Sequence, residues 1–507
     1  MTSIYQPLST WDQAAPRAYI RQVHCFAYNQ PDECLLEPLR QNLRAALDRT
    51  AKLWPKFAGR VVLQHGSAGK VSVAKSPGDE ITLRVLDDRD SFGWDYEHLK
   101  SAGFPAQPFV GPSFALPQAL DEDGPGLAAT VIHARVIRGG LLLCTFCHHV
   151  LVDGMGMNKF LSAFAAYTRE LNEGHVIDSE SYMNAHIDVP ADLGSALIKK
   201  YTFEDLVQQC PEYHVLAEPS GPLTFRSSPN NPSLESVPKT GRLFVLEAKA
   251  LQLLKSAVCR PRNDGIVASN GTYQPSTFAC LAALTWAHST SARLRASSAN
   301  CSTQEGRQSN GYGEEIFRLV LPASWARRAF TDLADQYVGN AVGMVEITTD
   351  VHTILAAAQW SPETTSDAKK AFASLVSSIE TALAGIDEDF VTTRTAMMRA
   401  APDPRLIGSN VDPQDPRDFM FNSWRHFGAD VAWGMPGIGG QDVAPKAGTR
   451  ADAVRRTQSD WNLGAGLIMP GSKESTSYEM IVTLEVSSME ELCRDSCWGG
   501  WLRDVVN

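Results

Sequence analysis

The sequence has no uninterrupted apolar run of about 18 residues, the length that a membrane-spanning helix needs. Its opening segment, MTSIYQPLSTWDQAAPRAYIRQ, lacks the basic region followed by an apolar core that marks a secretory signal. The final residues, 503–507, carry no lipidation or retention motif. We therefore expect a cytoplasmic protein without a membrane segment.

Cysteine is sparse and basic charge is dispersed. The 10 cysteines are scattered along 507 residues, which favours reduced thiols over a disulfide framework. Cys144 and Cys147 precede two histidines, but residues three apart on a strand face opposite sides, so we predict no metal site there. The net charge is −11 and no basic patch stands out, so we predict no nucleic-acid partner.

The chain contains one segment in which reactive residues are concentrated. His148 and His149 end an apolar, β-rich run, and Asp153 and Gly154 follow before a stretch with helical periodicity, residues 158–167. Because glycine permits backbone conformations that other residues resist, we predict a tight turn between strand and helix. Neighbouring strand residues face opposite sides, so only one histidine can reach a given cavity. A histidine titrating near neutrality suits a general base, and the alternative is a pair of buried core histidines beside a turn aspartate.

The pattern His-His-x-x-x-Asp-Gly resembles the signature shared by BAHD acyltransferases and peptide-synthetase condensation domains. The resemblance implies that His149 is the general base and that Asp153 is structural and pairs with an arginine. It also implies an α/β, two-domain chloramphenicol acetyltransferase-like (BAHD) fold, with mixed sheets flanked by helices and an active-site tunnel between the domains. The flanking segments look closer to the fungal secondary-metabolite branch, which is trichothecene O-acetyltransferase-like, than to the plant branch.

A stretch rich in Pro, Ser, Gly and Asn divides the chain. We predict an N-terminal acyltransferase domain over residues 1–215, a crossover linker over residues 216–240, and a C-terminal acyltransferase domain over residues 241–507. Helical periodicity is clearest at residues 35–49 in the first domain and at residues 367–386 in the second.

The arginine implied opposite Asp153 is not fixed by the sequence. The segment ending at Asn340 resembles the family's Arg-x-Arg and Tyr-x-Gly-Asn stretch, but an ungapped count places Ala326 where the first arginine is expected. The remaining candidates are Arg327, Arg328 and Arg318. The alternative for the two adjacent arginines is a solvent-facing position.

The second domain supplies further candidates for the site. Asn422 and Trp424 alternate on a predicted strand and so share a face. They resemble the family's Thr-x-Trp segment, which implies that both line the site and that the Asn422 amide donates to a developing oxyanion. The alternative for Trp424 is an ordinary core position. Residues 430–434 resemble the structural Asp-Phe-Gly-Trp-Gly motif, with Val431 and Ala432 as departures.

Three polar residues are candidates for binding coenzyme A. Lys255 and Ser256 lie on a predicted helix, and Ser276 lies at the N-terminus of the next one, where backbone N–H groups attract phosphate. Each is equally well explained as an exposed charge or a helix cap.

The resemblance implies a monomeric enzyme that moves an acyl group, acetyl as the first expectation, from acyl-CoA to a hydroxyl of a secondary metabolite. Acyl-CoA is then a co-substrate, and no bound cofactor is expected. Three alternatives remain: a condensation-type enzyme that uses carrier-protein thioesters, an enzyme that uses the histidine for cyclisation or elimination, and a non-catalytic binding protein.

Overall fold

A computed structural model describes most of the chain. The described residues are 4–6, 8–28, 36–121, 124–173, 190, 192–221, 223–228, 231–261, 272–301, 315–330, 337–363, 366–439 and 448–507. In chain order the helices are α1 Thr10–Gln13, α2 Leu36–Leu53, α3 Tyr96–Ser101, α4 Gly154–Glu173, α5 Ser195–Ile198, α6 Phe203–Gln208, α7 Ala248–Val258, α8 Thr277–Cys301, α9 Ala326–Ala329, α10 Val351–Ala357, α11 Ser366–Ala384, α12 Glu388–Ala400, α13 Val486–Arg494 and α14 Ser496–Gly499. Within these ranges, no helix combines the length and the apolar character needed to cross a bilayer.

The strands within the described residues form two large sheets and four small ones. In chain order they are β1 Ile4–Gln6, β2 Tyr19–Ala27, β3 Arg60–Leu63, β4 Val71–Lys75, β5 Thr82–Asp87, β6 Leu127–Ala128, β7 Thr130–Ile137, β8 Gly140–His148, β9 Tyr213–Val215, β10 Thr224–Phe225, β11 Lys239–Glu247, β12 Arg260–Pro261, β13 Thr272–Tyr273, β14 Ile316–Ser324, β15 Val342–Asp350, β16 Ile407–Ser409, β17 Asp418–Ser423, β18 Ala432–Trp433, β19 Thr449–Arg450, β20 Ala453–Arg455, β21 Ala465–Ile468, β22 Ser477–Glu485 and β23 Asp504–Val506.

The N-terminal sheet has the strand order β20, β2, β8, β7, β5. One face packs against helices α2 and α4 in a cluster that we call the helix-side cluster, and the other packs against α3 and the loops after it in the loop-side cluster. Strand β8 is buried along its whole length, which explains its continuous apolar run. Cys147 lies in the helix-side cluster and Cys144 in the loop-side cluster, as the alternation of strand side chains requires.

The C-terminal sheet has the strand order β15, β14, β17, β21, β22, β11, β23. Residues 279–293 of its central helix, α8, are buried, both the apolar side chains and the polar ones such as Thr285, His288 and Arg293. A helix that has no solvent-facing side over these residues lies inside the protein, and α8 accordingly belongs to the largest core cluster.

Three segments interlock the two halves. Strand β20 belongs to the C-terminal part of the sequence but pairs with β2 in the N-terminal sheet. In the opposite direction, Trp11 enters the C-terminal core, where its indole donates to Thr395 Oγ1 at 3.1 Å. The region predicted as a linker, residues 216–240, contains β10, which pairs with β16, and the start of β11. Segments from each half therefore pack into the other half across the junction where the His-His motif lies.

Candidate active site

The two adjacent histidines occupy different environments. His148 ends β8 and is fully buried, with its ring edge-on to Tyr19 at 5.1 Å between ring centroids. His149 comes next, partly exposed, and its backbone N–H donates to the carbonyl of Ala18 at 2.8 Å. The sequence pattern allowed only one histidine to face a given cavity, and only His149 has access to solvent.

Asn340 holds the His149 ring. The amide NH₂ of Asn340 donates to the His149 carbonyl at 2.7 Å and to Asp12 Oδ1 at 2.8 Å. Because both of these partners are oxygen acceptors, the amide orientation is fixed, and its Oδ1 faces His149 Nδ1 at 2.9 Å. An amide oxygen can only accept, so Nδ1 carries the proton. The other ring nitrogen, Nε2, is left with a lone pair that can take a proton from a substrate.

Asp12 anchors Asn340 from the N-terminal segment. It is buried, and its Oδ1 accepts from both the backbone N–H of Asn340 at 2.9 Å and the side-chain amide. The other oxygen accepts from Ser9 N at 3.2 Å, and the Ser9 hydroxyl accepts from Asp12 N at 3.1 Å, which is a capping box at the start of α1. A local helix cap therefore fixes the carboxylate that positions Asn340.

Asp153 closes the turn after the histidines through backbone contacts. Its Oδ1 accepts from Gly156 N at 3.0 Å and its Oδ2 from Ala341 N at 3.1 Å, while its own N–H donates to Gly339 O at 3.1 Å. Burial raises the pKa of Asp153, although these N–H donors favour the charged form. The segment 339–341 thus clamps both His149 and Asp153.

The implied arginine partner of Asp153 is not found in the described part of the chain, where the hydrogen-bond partners of its carboxylate are backbone N–H groups. Arg318 pairs instead with Glu346 at 2.8 Å and Asp418 at 2.9 Å. Arg328 donates to Ser324 O at 2.6 Å.

A lysine is the cation that influences this aspartate. Lys56 Nζ donates to the carbonyls of Leu151 at 2.9 Å and Val338 at 2.5 Å. Burial lowers the pKa of Lys56, and the carboxylates of Asp12 and Asp153 oppose that shift. Lys56 therefore connects the motif turn to the 338–341 segment. The sequence alone does not predict this role for Lys56.

The glycines of the motif are required for space, which corrects the explanation drawn from the sequence. Neither Gly154 nor Gly156 has a positive φ, and Gly154 is the first residue of α4. A Cβ on Gly154 would lie 2.3 Å from the Phe427 ring, and one on Gly156 would lie 2.9 Å from Val152. Phe427 belongs to the C-terminal half, so Gly154 allows the halves to approach each other.

The electrostatics of the site favour a neutral imidazole. Burial lowers the pKa of His149, while its own carbonyl, Asp153, Asn340 and Asp12 oppose that shift. Burial also lowers the pKa of His148, to about 3. At neutral pH both rings are uncharged, which is the state that a general base needs.

The structure places Asn422 and Trp424 at the end of β17. Asn422 is the fifth residue of the strand, and its Oδ1 accepts from Ser423 N at 2.7 Å, so its NH₂ group is the part that can donate to a ligand. Trp424 lies one residue beyond the strand and packs partly buried against the helix-side cluster, which contains Leu151 and Val152. Trp424 also packs against the small cluster of Leu467, Met469 and Ile481 in the C-terminal sheet, so it lies between the two cores.

The three candidates for coenzyme A binding lie in the C-terminal half. Ser256 Oγ donates to Leu253 O at 2.8 Å within its own helix, α7, which also carries Lys255. The Ser276 hydroxyl accepts from Ala279 N at 3.1 Å, and its backbone N–H is occupied by Glu380 at 2.6 Å. A carboxylate already lies at this helix N-terminus, so Ser276 has the contacts of a cap.

Comparison with known families finds a match in the N-terminal part. Residues 19–167 match the trichothecene 3-O-acetyltransferase-like N-terminal domain. The matched region spans β2 to most of α4 and includes the His-His-x-x-x-Asp-Gly motif.

Sequence relatives of the chain are fungal acyltransferases. The acyltransferase easC of Emericella nidulans is 22% identical over 66% of this chain and 65% of its own length. The acyltransferase cm3D of Cordyceps militaris is 28% identical over 32% of this chain and 35% of its own length. These matches cover less than two thirds of either relative.

Solved structures extend the likeness to the whole chain. TRI101 of F. graminearum, crystallised with coenzyme A and T-2 mycotoxin, is 18% identical with a TM-score of 0.73, and the match covers 100% of both chains. Vinorine synthase is 14% identical with a TM-score of 0.55, over 98% of this chain and 94% of that one. The prediction of a BAHD-type, mixed α/β fold is confirmed.

Proposed function

We propose that the chain is an acyltransferase that moves an acyl group, acetyl first among the candidates, from acyl-CoA to a hydroxyl of a small secondary metabolite. The observation that carries the proposal is the orientation of Asn340, which places the proton of His149 on Nδ1 and leaves Nε2 as a base. The relatives support the reaction class, since they are named as acyltransferases, and the TRI101 structures hold coenzyme A and a trichothecene.

His149 performs the proton transfers in the proposed mechanism. Its Nε2 takes the proton of the acceptor hydroxyl as the oxygen attacks the thioester carbonyl, which gives a tetrahedral oxyanion. The amide NH₂ of Asn422, beside Trp424, donates a hydrogen bond to that oxyanion. When the intermediate collapses, the carbon–sulfur bond breaks and protonated His149 returns the proton to the departing thiolate. No covalent bond to the enzyme is formed.

We propose that residues 1–215 and 241–507 act as two domains around this site, with acyl-CoA and the acceptor entering the junction from opposite sides. Lys255 and Ser256 are the proposed contacts for coenzyme A. Ser276 is a weaker choice, because Glu380 occupies its backbone N–H. Among the candidates, Lys255 would supply the positive charge that a phosphate needs.

Thiol release tests the proposal. Purified protein is mixed with acetyl-CoA and a panel of hydroxylated polycyclic metabolites, and free coenzyme A is titrated. Release should require an acceptor, and His149→Ala should lower the rate on the order of 10²- to 10⁴-fold, the usual contribution of a general base. His65→Ala, a change at an exposed turn histidine, is the matched control and should leave the rate unchanged.

Two outcomes would contradict the proposal. The first is acceptor-dependent release that survives in the His149→Ala variant, which would remove the histidine from the mechanism. The second is a folded wild-type protein that releases no thiol from acetyl-, malonyl- or longer acyl-CoA. That result would shift the assignment to a carrier-protein donor or to a reaction without an acyl donor.

A further inference from the structure

Two lysines of the N-terminal half donate hydrogen bonds to consecutive backbone carbonyls of the C-terminal half. Lys159, on α4, donates from Nζ to the carbonyl of Tyr337 at 3.1 Å. Lys56, which lies between α2 and β3, donates to the carbonyl of Val338 at 2.5 Å. The same ammonium group also donates to the carbonyl of Leu151, in the motif turn, at 2.9 Å. A single charged group therefore joins the motif turn to the chain at residue 338.

The carbonyl of Val338 lies just before the residues that contact His149 and Asp153. The carbonyl of Gly339 accepts from Asp153 N at 3.1 Å. The amide of Asn340 donates to the His149 carbonyl at 2.7 Å, and its Oδ1 faces His149 Nδ1 at 2.9 Å. Lys56 therefore fixes the start of a short stretch of chain whose next residues orient the base.

The charge of Lys56 lies near two buried carboxylates that hold the same stretch. Asp12 and Asp153 are 6% and 3% exposed. Asp12 accepts from Asn340 N at 2.9 Å, and Asp153 accepts from Ala341 N at 3.1 Å. Both carboxylates oppose the fall in the pKa of Lys56 that burial causes. Removing one member of a buried group of opposite charges leaves the others uncompensated, so the loss of Lys56 would strain the contacts of residues 340 and 341.

We propose that Lys56 is a positioning residue for His149, because it holds residue 338 against the motif turn and so keeps Asn340 where its amide fixes the ring proton on Nδ1. Lys56 acts through Asn340 and makes no contact with the reacting atoms. The kinetic part of this inference rests on the proposed function. The position of the ring proton is a property of the ligand-free protein and can be measured independently of any substrate.

The tautomer of His149 gives the first test. In protein labelled with ¹⁵N-histidine, a long-range ¹H–¹⁵N correlation spectrum should show His149 protonated on Nδ1, and the His149→Ala variant identifies its signals. Lys56→Met removes the charge and keeps most of the side-chain length. In this variant, we expect the two ring nitrogen shifts to move towards each other, as they do when both tautomers are populated.

Lys239→Met is the matched control for the loss of a buried lysine. The side chain of Lys239 is 5% exposed, donates to the carbonyl of Leu234 and pairs with Asp460 at 2.6 Å, at the start of β11. This variant makes the same chemical change in the C-terminal sheet. It should leave the His149 signals and kcat unchanged.

Steady-state kinetics with acetyl-CoA gives the second test. Lys56→Met should lower kcat on the order of 10-fold with KM for acetyl-CoA unchanged, because a small displacement of a base slows the reaction without removing a binding contact. Lys56→Arg keeps the charge and can still donate to two carbonyls, so it should recover part of kcat.

A double variant tests whether Lys56 acts through Asn340. Asn340→Ala removes the amide that Lys56 is proposed to hold in place. Adding Lys56→Met to Asn340→Ala should therefore lower kcat little further, and the two losses should not add. Additive losses would mean that Lys56 affects the rate by another route, and they would overturn the proposal.

Three further results would overturn the proposal: a wild-type His149 ring protonated on Nε2, an unchanged Nδ1 signal in Lys56→Met, or a loss of kcat in Lys239→Met equal to that in Lys56→Met. If Lys56→Met does not fold, Lys56→Gln, which keeps a donor without the charge, takes its place with the same expectations. A wild type that releases no thiol from any acyl-CoA would count against the proposed function, while the tautomer comparison would still decide the role of Lys56.

Discussion

Histidine is prominent among the buried polar side chains of the N-terminal sheet, whereas paired charges are prominent in the C-terminal half. His24, His133 and His148 lie on β2, β7 and β8, and burial lowers their pKa values to about 4, about 4 and about 3. In the C-terminal half, buried His288 lies 3.6 Å from Asp495. Burial alone would raise the pKa of Asp495, but its interactions with His288 and its other partners lower it to about 2.

Ion pairs recur around the C-terminal sheet. Glu212 is 1% exposed and pairs with Arg394 at 2.8 Å, and Arg318 pairs with Asp418 at 2.9 Å. Two oppositely charged groups that are buried together can both stay charged, whereas an isolated buried imidazole loses its proton and becomes neutral. The buried imidazoles of the N-terminal sheet are therefore neutral, as His149 is, whereas the buried groups around the C-terminal sheet are paired charges.

Removal of Asp153 should lower the free energy of unfolding the most, because its carboxylate accepts hydrogen bonds from both halves of the molecule. Asp153→Ala leaves the N–H groups of Gly156 and Ala341 without an acceptor. At about 1–3 kcal/mol for each unsatisfied group, and with some relief from removing a buried carboxylate, we expect unfolding free energy to fall by about 3 kcal/mol. Urea denaturation measures this change in the free energy of unfolding. Asp350→Ala, which removes an exposed helix cap in the C-terminal half, should cost about 1 kcal/mol; equal losses would mean that Asp153 is only a cap.

Asn340→Ala should separate positioning from binding. Without the amide, the His149 ring loses the acceptor that fixes its tautomer, and a displaced base can lower the rate on the order of 100-fold. We expect kcat to fall while KM for acetyl-CoA is unchanged. Asn42→Ala is the matched control, since Asn42 is also buried and donates to a backbone carbonyl, that of Thr168 at 3.1 Å, away from the site. A higher KM for acetyl-CoA with an unchanged kcat would refute the tautomer argument.

Gly154→Ala tests the contact between the halves. The added methyl would lie 2.3 Å from the Phe427 ring, so one element must move. Overpacking of this kind costs about 1–3 kcal/mol in unfolding free energy. Gly93→Ala, at a position with open space around it, should be close to neutral. If the clash with Phe427 is the cause, adding Phe427→Leu to Gly154→Ala should recover part of the loss in a double-mutant cycle.

The sequence predicted the secondary structure around the His-His motif. Strand β8, the turn and helix α4 follow from contiguous residues, and the alternation of His148 and His149 is a property of any strand. The fold class followed from the resemblance of the motif and its flanks. The close approach of Gly154 to Phe427 could not be predicted from the sequence, because Phe427 is distant in the chain.

The tertiary part of the site was harder to predict. Asn340 lies 191 residues from His149, and Asp12 lies 328 residues from Asn340, so no spacing rule joins them. Asn340 ends a segment that resembles the family, and this resemblance is the signal that the sequence offers for it. The arginine expected at Asp153 is replaced by backbone N–H groups and nearby Lys56, a substitution that only the packing of residues 338–341 reveals.

The smallest effect concerns the pH dependence that the buried histidines impose. Each has a folded pKa below its unfolded value of 6.5, so the unfolded chain binds more protons and stability falls as pH drops from about 6.5 towards 4. One such group contributes up to about 1.4 kcal/mol per pH unit in that window. His133→Gln should therefore reduce the slope of unfolding free energy between pH 6.5 and 5 by about 1 kcal/mol per unit, measured by urea denaturation at several pH values. His65→Ala, at an exposed position, should leave the slope unchanged. If His133→Gln also leaves it unchanged, His133 is protonated in the folded protein, and the contrast between neutral imidazoles in one half and paired charges in the other does not hold at that position.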